Sequence, residues 1–299
     1  MLSYGIVIGL LVLGLAGVAI WKRPSTIYKN DKRKQNPMEG KKVRFVENPK
    51  DKKNADGVRG HLEAVGDSKR RRSWYDRFWK RGIDIVCSLC GLIILSPVFL
   101  LFSVAILIDD PGPVFFTQKR IGRNKQYFML HKFRTMKMTT PHDVPTHMLK
   151  DPEQYITRVG RFLRKSSLDE LPQIADIFIG NMSIIGPRPA LWNQDVLVAE
   201  RDRYGANDFR PGLTGWAQIN GRDELEISEK AKLDGVYCMI LKMGGWKAFM
   251  MDLRCIFGTV FSVLRREGVV EGGTGTLKKP MRPNDGKTLF EEDEYQIKK

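Results

Sequence analysis

The hydrophobic pattern begins with an uncharged run of 20 residues, 2–21, that ends at Trp21-Lys22-Arg23. At about 1.5 Å per residue, a helix of this length reaches across the hydrocarbon core of a bilayer. No basic region precedes the run and no small-residue cleavage site follows it, so we interpret it as a retained transmembrane helix rather than a cleaved signal peptide. The basic block after it favours a cytoplasmic location for the chain from Lys22 onward.

A second uncharged run covers residues 85–108 and is long enough to cross a membrane as a straight helix. Arginines and lysines flank it on both sides, which favours the same side of the membrane for both ends. Ser96-Pro97 stands in the middle, and proline kinks a helix because it removes a backbone donor and clashes with the preceding turn. The pattern alone fits two structures equally well, a re-entrant kinked helix and a kinked helix that spans the membrane.

From Asp110 onward the pattern is typical of a compact domain. Residues 114–117 and 127–130 predict two strands around a polar turn, and apolar residues over 168–179 follow a helical period. Residues 246–264 are amphipathic and predict a helix that lies on a membrane or on the core. We therefore expect an α+β membrane-associated fold, with a small globular domain and interfacial amphipathic helices.

The distribution of charge along the chain distinguishes these regions further. The chain has 50 Lys and Arg against 34 Asp and Glu, a net charge of +16, and residues 22–73 alone carry 17 basic and 7 acidic residues. Since most of the basicity lies in one segment, the composition argues against a nucleic-acid-binding protein. The segment has no hydrophobic period, so we predict a solvated basic linker, which is also suited to contact anionic lipid. The chain is thus predicted to consist of a transmembrane anchor (1–21), a basic linker (22–73), a catalytic domain (74–270) with a membrane helix at about 83–108, and a polar tail (271–299).

The segment 164–173 carries the first candidate chemistry. Ser167-x-x-Glu170 has the spacing of a capping box, which would make Asp169 and Glu170 ordinary residues of a helix start. The same position suits phosphate chemistry, because an ionised aspartate beside Arg164 can attack phosphorus while a neighbouring glutamate holds a divalent cation. These two interpretations are compatible.

Further cations stand in Pro- and Gly-rich segments. Arg188 lies between two prolines, while Arg210 and Arg222 bracket a segment with three glycines and Trp216. Rigid loops that present guanidinium groups suit a diphosphate, although turns with surface arginines are the plainer interpretation. Lys132, after a predicted strand, adds another cation.

With these segments in view, the sequence resembles the bacterial sugar transferases, the monotopic polyprenyl-phosphate phosphoglycosyltransferases. The resemblance covers about residues 74–270, and no single motif carries it. The motifs, in their order, are Lys80-Arg81 with Asp84, Ser96-Pro97, Asp110-Pro111-Gly112-Pro113, Lys132-Phe133-Arg134-Thr135-Met136, 168–173, 186–189 and 210–218.

This resemblance implies a helix that re-enters the membrane at Ser96-Pro97. It implies transfer of a phosphosugar from a UDP-sugar to polyprenyl phosphate, normally undecaprenyl phosphate, with release of UMP, as the first membrane step of capsule, O-antigen, exopolysaccharide or glycoprotein synthesis. Asp169 would be the nucleophile of a covalent intermediate and Glu170 the ligand of Mg²⁺. The residues expected near phosphates or nucleotide are Lys132, Arg164, Arg188, Arg210 and Arg222.

The implied location is the cytoplasmic face of the bacterial inner membrane, with the bilayer as a partner, no nucleic acid, and a homo-oligomer left open. Asn181 and Asp223 depart from the family pattern, which bears on substrate details. Two rival functions remain. The first is a membrane-bound nucleotide-sugar diphosphatase that uses water instead of lipid, and the second is a basic membrane adaptor without catalysis.

Overall fold

The computed structural model of the chain describes residues 35–68, 72–140, 151–221 and 225–265. The predicted anchor 1–21, Arg222, Asp223 and the tail 271–299 lie outside the described residues. Within them the strands are β1 (Lys41–Glu47), β2 (Gly60–Asp67), β3 (Phe115–Ile121), β4 (Tyr127–Phe133), β5 (Ser183–Ile185) and β6 (Gly212–Thr214). The helices are α1 (Lys80–Ile94), α2 (Ser96–Asp109), α3 (Arg158–Lys165), α4 (Gln173–Ile179), α5 (Asp195–Arg203), α6 (Trp216–Ile219), α7 (Ile227–Met243) and α8 (Gly245–Arg265).

The mixed helix and strand content confirms the α+β prediction. The predicted strands over 114–117 and 127–130 correspond to β3 and β4, which pair with each other. Residues 246–264 form a helix, as their period indicated. Two compact units make up the chain. The first contains residues 82–120 and 128–182, and the second contains residues 35–81, 121–127 and the chain from 183 onward.

The break between α1 and α2 lies at the predicted position. The segment Tyr75–Ile94 meets Ser96–Asp109 at 58°. Pro97 has no N–H for the helix, and the Ser96 hydroxyl donates instead to the Ile93 carbonyl at 2.8 Å. Among the described residues this bent pair has the length and composition of a broken span or a re-entrant loop, and no single helix does.

Aromatic packing forms the core of the first unit. Phe133 of β4 is 1% exposed and stacks on Phe115 of β3, with ring centroids 5.5 Å apart. Ile106 of α2 and Leu163 of α3 complete the buried cluster. The outer face of α2 therefore stays exposed while its inner face packs on the sheet.

The core of the second unit lies between α7 and α8. Tyr237 and Met251 are buried there together with Ile185 of β5. Asp252 of α8 accepts hydrogen bonds from the Tyr237 hydroxyl at 2.7 Å and from Lys80 Nζ at 2.8 Å. A charge at this depth is tolerated because each of its oxygens has a donor.

The basic linker prediction is wrong for part of its length. β1 and β2 form an antiparallel hairpin, with Lys41 opposite Asp67 and Glu47 opposite Gly60. Val43 is buried against Leu197 and Val198 of α5, and its N–H donates to Asp202 at 2.7 Å. The sequence hides this hairpin because Val43 is the one apolar side chain that β1 and β2 bury fully, which is too few to produce a period.

An acid of the β1–β2 loop also holds the start of α5. The Asp56 carboxylate accepts from the Val196 and Leu197 amides at 2.9 and 3.3 Å. Asp195 lies beside it, and burial together with the charge of Asp56 raises the pKa of Asp195 to about 6. Two carboxylates therefore share one helix start.

Replacing Lys125 with Met tests the buried ion pair behind the hairpin. Lys125 Nζ lies 2.7 Å from Asp202 Oδ1, and both side chains are almost fully buried. The substitution leaves a buried carboxylate without its counter-charge, so we expect the free energy of unfolding to fall by about 3 kcal/mol. Arg44→Met, at the exposed pair with Glu63, should cost less than about 1 kcal/mol. Equal losses in denaturant titrations of the two variants would contradict the assignment.

Asp195→Asn tests the shared helix start. A raised native pKa means that the folded protein binds the proton of the Asp195 carboxyl more tightly than the unfolded chain does. The contribution of this carboxyl to stability is therefore full below about pH 4 and is lost as the pH rises through about 6. The variant should therefore be about 1–2 kcal/mol more stable than the wild type at pH 7, with screening allowed for, and should match it at pH 4. Thermal unfolding at both pH values measures this, and Asp67→Asn at an exposed site is the control.

Candidate active site

Asp169 and Glu170 lie in a short 3₁₀ turn, Leu168–Glu170, that joins α3 to α4 in the first unit. Ser167 precedes the turn with φ 56°, and its side chain makes no capping hydrogen bond. The predicted capping box and unbroken helix over 168–179 are therefore wrong. Pro172 explains the split, because proline favours the position before a new helix, and α4 begins directly after it.

A lysine of β4 holds both carboxylates. Lys132 Nζ lies 2.8 Å from Glu170 Oε1 and 3.6 Å from Asp169 Oδ2. The lysine side chain is 20% exposed and each carboxylate 13%. The positive charge of an ammonium group offsets the repulsion between two neighbouring carboxylates. The turn therefore presents two part-buried acids beside one lysine.

A histidine next to Lys132 fixes β4 in place. His131 donates its backbone N–H to Asp176 Oδ2 at 2.9 Å, and its ring Nδ1 lies 2.9 Å from Asp176 Oδ1. Asp176 is fully buried in α4. The pair joins the strand that carries Lys132 to the helix that follows Glu170. Its members are 45 positions apart in the chain, so no short motif reveals it.

Two acids at the end of α2 tie that helix to the same region. Asp110 accepts from Arg134 Nη1 at 2.7 Å and from the Met138 N–H at 2.9 Å. Asp109 accepts from the Val159 N–H at 2.8 Å, at the start of α3. Burial lowers the pKa of Arg134, and the charge of Asp110 opposes that shift.

Arg164 stands in the last turn of α3, four residues after Gly160. Its Nε donates to Thr135 Oγ1 at 2.9 Å. At Gly160 an added Cβ would lie 2.1 Å from the Thr135 carbonyl oxygen, so only glycine lets α3 approach the chain after β4 this closely. This approach sets the position of Arg164.

The second unit holds the remaining predicted loops. β5 and β6 are parallel, with Ser183 opposite Gly212. An added Cβ at Gly212 would lie 2.0 Å from the Gly186 nitrogen, so the two loops touch through backbone alone. Arg188 is half-buried between buried prolines, and its carbonyl accepts from Arg201 Nη1 at 2.9 Å.

A family model described as "Bacterial sugar transferase" matches residues 75–266. The chain belongs to the bacterial sugar transferase family. The resemblance drawn from the sequence motifs is therefore confirmed, and with it the assignment to the transferases.

Three relatives show how far the similarity extends. The uncharacterized sugar transferase EpsL of Bacillus subtilis (strain 168) is 38% identical over 191 residues, which are 64% of this chain and 89% of the relative. The UDP-glucose:undecaprenyl-phosphate glucose-1-phosphate transferase of Escherichia coli (strain K12) is 37% identical over 63% of this chain and 41% of the relative. The undecaprenyl-phosphate galactose phosphotransferase of Salmonella typhimurium is 35% identical over 64% and 42%. This sugar transferase thus spans less than half the length of the last two.

The predicted site residues of this sugar transferase fall in both units. Asp169, Glu170 and Lys132 come together in the first unit, which also contains Arg164. Arg188 and Arg210 belong to the second unit. The motifs of the resemblance include Asp110 and Arg134 but do not show that the two pair, and they include neither His131 nor Asp176.

The carboxylate pair fits Mg²⁺ in one respect. Among the described residues no three His, Cys, Asp or Glu side chains are grouped to hold a metal ion. Mg²⁺ commonly takes one or two protein carboxylates and completes its shell with water and substrate phosphate. Asp169 and Glu170 offer that number of carboxylates, so the donor set suits a cation that arrives with a phosphate substrate.

Lys132→Met tests how strongly the lysine stabilises the turn. Removing the ammonium leaves two neighbouring part-buried carboxylates without the positive charge of Lys132, so we expect a loss of about 1–3 kcal/mol in the free energy of unfolding. Lys137→Met is the control, because Lys137 is exposed and its Nζ donates to a backbone carbonyl, that of Gln154. The two variants are compared by thermal unfolding at neutral pH, and a loss no larger than that of the control would refute the role of Lys132.

Proposed function

We propose that this sugar transferase moves a phosphosugar from a UDP-sugar to undecaprenyl phosphate, or a similar polyprenyl phosphate, and releases UMP. The observation that carries the proposal is the adjacent pair Asp169 and Glu170, held by Lys132 in an accessible turn. The names of the relatives support the same reaction, since they act on undecaprenyl phosphate with sugar phosphates.

In the first step a carboxylate oxygen of Asp169 attacks the β-phosphorus of the UDP-sugar. A new P–O bond forms to Asp169, and the bond from the β-phosphorus to the bridging oxygen breaks. The electron pair leaves on that oxygen with UMP. Lys132 would favour this step because its ammonium group, 3.6 Å from Asp169 Oδ2, can stabilise negative charge that develops on a phosphate oxygen beside Asp169.

In the second step an oxygen of the polyprenyl phosphate attacks the same phosphorus. The P–O bond to Asp169 breaks, and the carboxylate returns to its starting state. The product is a polyprenyl diphosphate sugar, the first lipid-linked unit of a capsule, O-antigen, exopolysaccharide or glycoprotein glycan. Two displacements at one carboxylate divide a difficult transfer into two easier ones.

The cations have separate parts in this scheme. Glu170 would hold Mg²⁺, which when bound neutralises the diphosphate charge. Arg164, Arg188, Arg210 and Arg222 would bind phosphates or the nucleotide, as the family resemblance implies. Guanidinium groups suit these tasks because they bind phosphate oxygens in pairs.

Membrane attachment is part of the proposal. The bent pair α1–α2 exposes large apolar side chains, among them Ile94, Leu101 and Ile108, which is expected of a re-entrant helix in lipid. Exposed Trp246 and Phe257 suit α8 to the interface. The basic flanks favour the cytoplasmic face of the bacterial inner membrane for the catalytic domain.

Asp169→Asn tests the proposed covalent step. The full-length protein is incubated with a panel of UDP-sugars and Mg²⁺ but no lipid, and its intact mass is measured. We expect one sugar to add a phosphosugar to the wild type, and Asp169→Asn to lose the adduct and at least about 1,000-fold of the transfer rate, since the nucleophile is gone. Glu153→Gln, an exposed acid of the same unit, is the control and should keep both.

The same assay separates the rival functions. UMP release that continues at a steady rate without lipid indicates the diphosphatase. No adduct and no UMP release from any UDP-sugar, by a folded wild-type protein, would overturn the proposed transfer.

A further inference from the structure

The segment 185–190 of the second unit carries Arg188 between Pro187 and Pro189. Proline cannot donate a backbone hydrogen bond, so a segment with two prolines is anchored to its surroundings mainly through its carbonyl groups. The donors that reach these carbonyls therefore determine where the backbone of Arg188 lies.

Backbone amides of two strands anchor the segment on either side of Arg188. The Gly212 amide of β6 donates to the Pro187 carbonyl at 2.9 Å. The Ile121 amide at the end of β3 donates to the Ala190 carbonyl, also at 2.9 Å. The segment is thus held one residue before Arg188 and two residues after it.

A charged group binds the carbonyl of Arg188 itself. Arg201 Nη1 of α5 donates to this carbonyl at 2.9 Å. The same guanidinium binds Asp234 of α7, whose Oδ2 lies 2.8 Å from Nε and 2.6 Å from Nη2. Arg201 and Asp234 are 3% and 1% exposed. Hydrogen bonds from an ionised donor are roughly twice as strong as neutral ones, so Arg201 holds the segment more firmly than a backbone amide would.

The guanidinium of Arg201 has little freedom to leave this position. Moving it away from Asp234 would leave a fully buried carboxylate without its counter-charge, which is strongly unfavourable. α7 also lies close to the end of α5, since an added Cβ at Gly235 would be 2.5 Å from Tyr204 Cβ. Only glycine permits this approach next to Asp234. Two packed helices therefore set the position of the donor to the Arg188 carbonyl.

We propose that Arg201 is a positioning residue for Arg188, and that Asp234 holds Arg201 in the orientation that this role requires. The inference rests on the proposed function, in which Arg188 binds the phosphates or the nucleotide of a UDP-sugar. A fixed backbone reduces the freedom that the Arg188 side chain loses on binding a nucleoside diphosphate, and this raises the affinity. A buried ion pair that served stability alone would leave that affinity unchanged.

Arg201→Lys tests this role in the full-length protein. Lysine keeps a positive charge for Asp234, but its single nitrogen cannot reproduce the fork that also reaches the Arg188 carbonyl. We expect the Kd for UDP, measured by isothermal titration in detergent with Mg²⁺ present, to rise at least about fivefold. Leu233→Ala is the matched control, because Leu233 is buried in the same helix as Asp234 and has no donor for the segment. It should lower the Tm and change the Kd by less than about twofold.

A double-mutant cycle determines whether Arg201 acts through Arg188. In an Arg188→Gln background, Arg201→Lys should have almost no further effect on the Kd for UDP, because the effects of coupled residues are not additive. An equal rise in Kd with and without Arg188 would overturn the proposal. A lower Tm of Arg201→Lys with an unchanged Kd would also overturn it, and so would a folded wild type that binds no UDP.

Steady-state kinetics with the UDP-sugar that forms the adduct provide a second readout. Arg201→Lys should raise the KM for the UDP-sugar at least about fivefold and leave kcat and the KM for polyprenyl phosphate within about twofold, since binding in the ground state is weakened. A fall in kcat with an unchanged KM for the UDP-sugar would contradict the proposal. A protein that shows the coupling in UDP binding but forms no adduct and transfers no phosphosugar would leave the positioning role standing while the proposed transfer fails.

Discussion

The structure of the first unit depends on two adjacent carboxylates that are kept together in a part-buried turn. Asp169 and Glu170 repel each other, and Lys132 offsets the repulsion from a neighbouring strand. Successive side chains of a strand point to opposite faces, so His131 can bind Asp176 while Lys132 reaches the turn. The dipeptide His131-Lys132 therefore both fixes β4 and supplies the cation beside Asp169 and Glu170.

The end of the bent helix pair is fixed relative to this turn. Asp109 accepts from Val159 at the start of α3, and Asp110 accepts from Arg134 just after β4. α3 directly precedes the turn with Asp169 and Glu170, and β4 carries the lysine that contacts both. If α1 and α2 enter the bilayer as proposed, these two acids set the depth of the reactive turn relative to the lipid headgroups. The contacts of Asp109 and Asp110 would then link the membrane helices to the proposed catalytic turn.

The second unit uses buried charge in a different way. Lys125 with Asp202 and Arg201 with Asp234 are buried ion pairs that join segments distant in the chain. The hairpin of β1 and β2 joins this network through Val43, although it lies outside the residues that the family model matches. A segment outside the matched residues is thus part of the core of the second unit.

The sequence alone determined the family, the bend at Ser96-Pro97, the strand pair around residues 122–124 and the adjacency of Asp169 and Glu170, because each depends on local spacing, proline chemistry or neighbouring residues. Only the tertiary structure decided that Lys132 faces both carboxylates, that 41–67 fold as a hairpin, and that helix 168–179 is split. These features depend on contacts between segments tens of residues apart, whose free energy outweighs local preference and leaves no periodic trace in the chain.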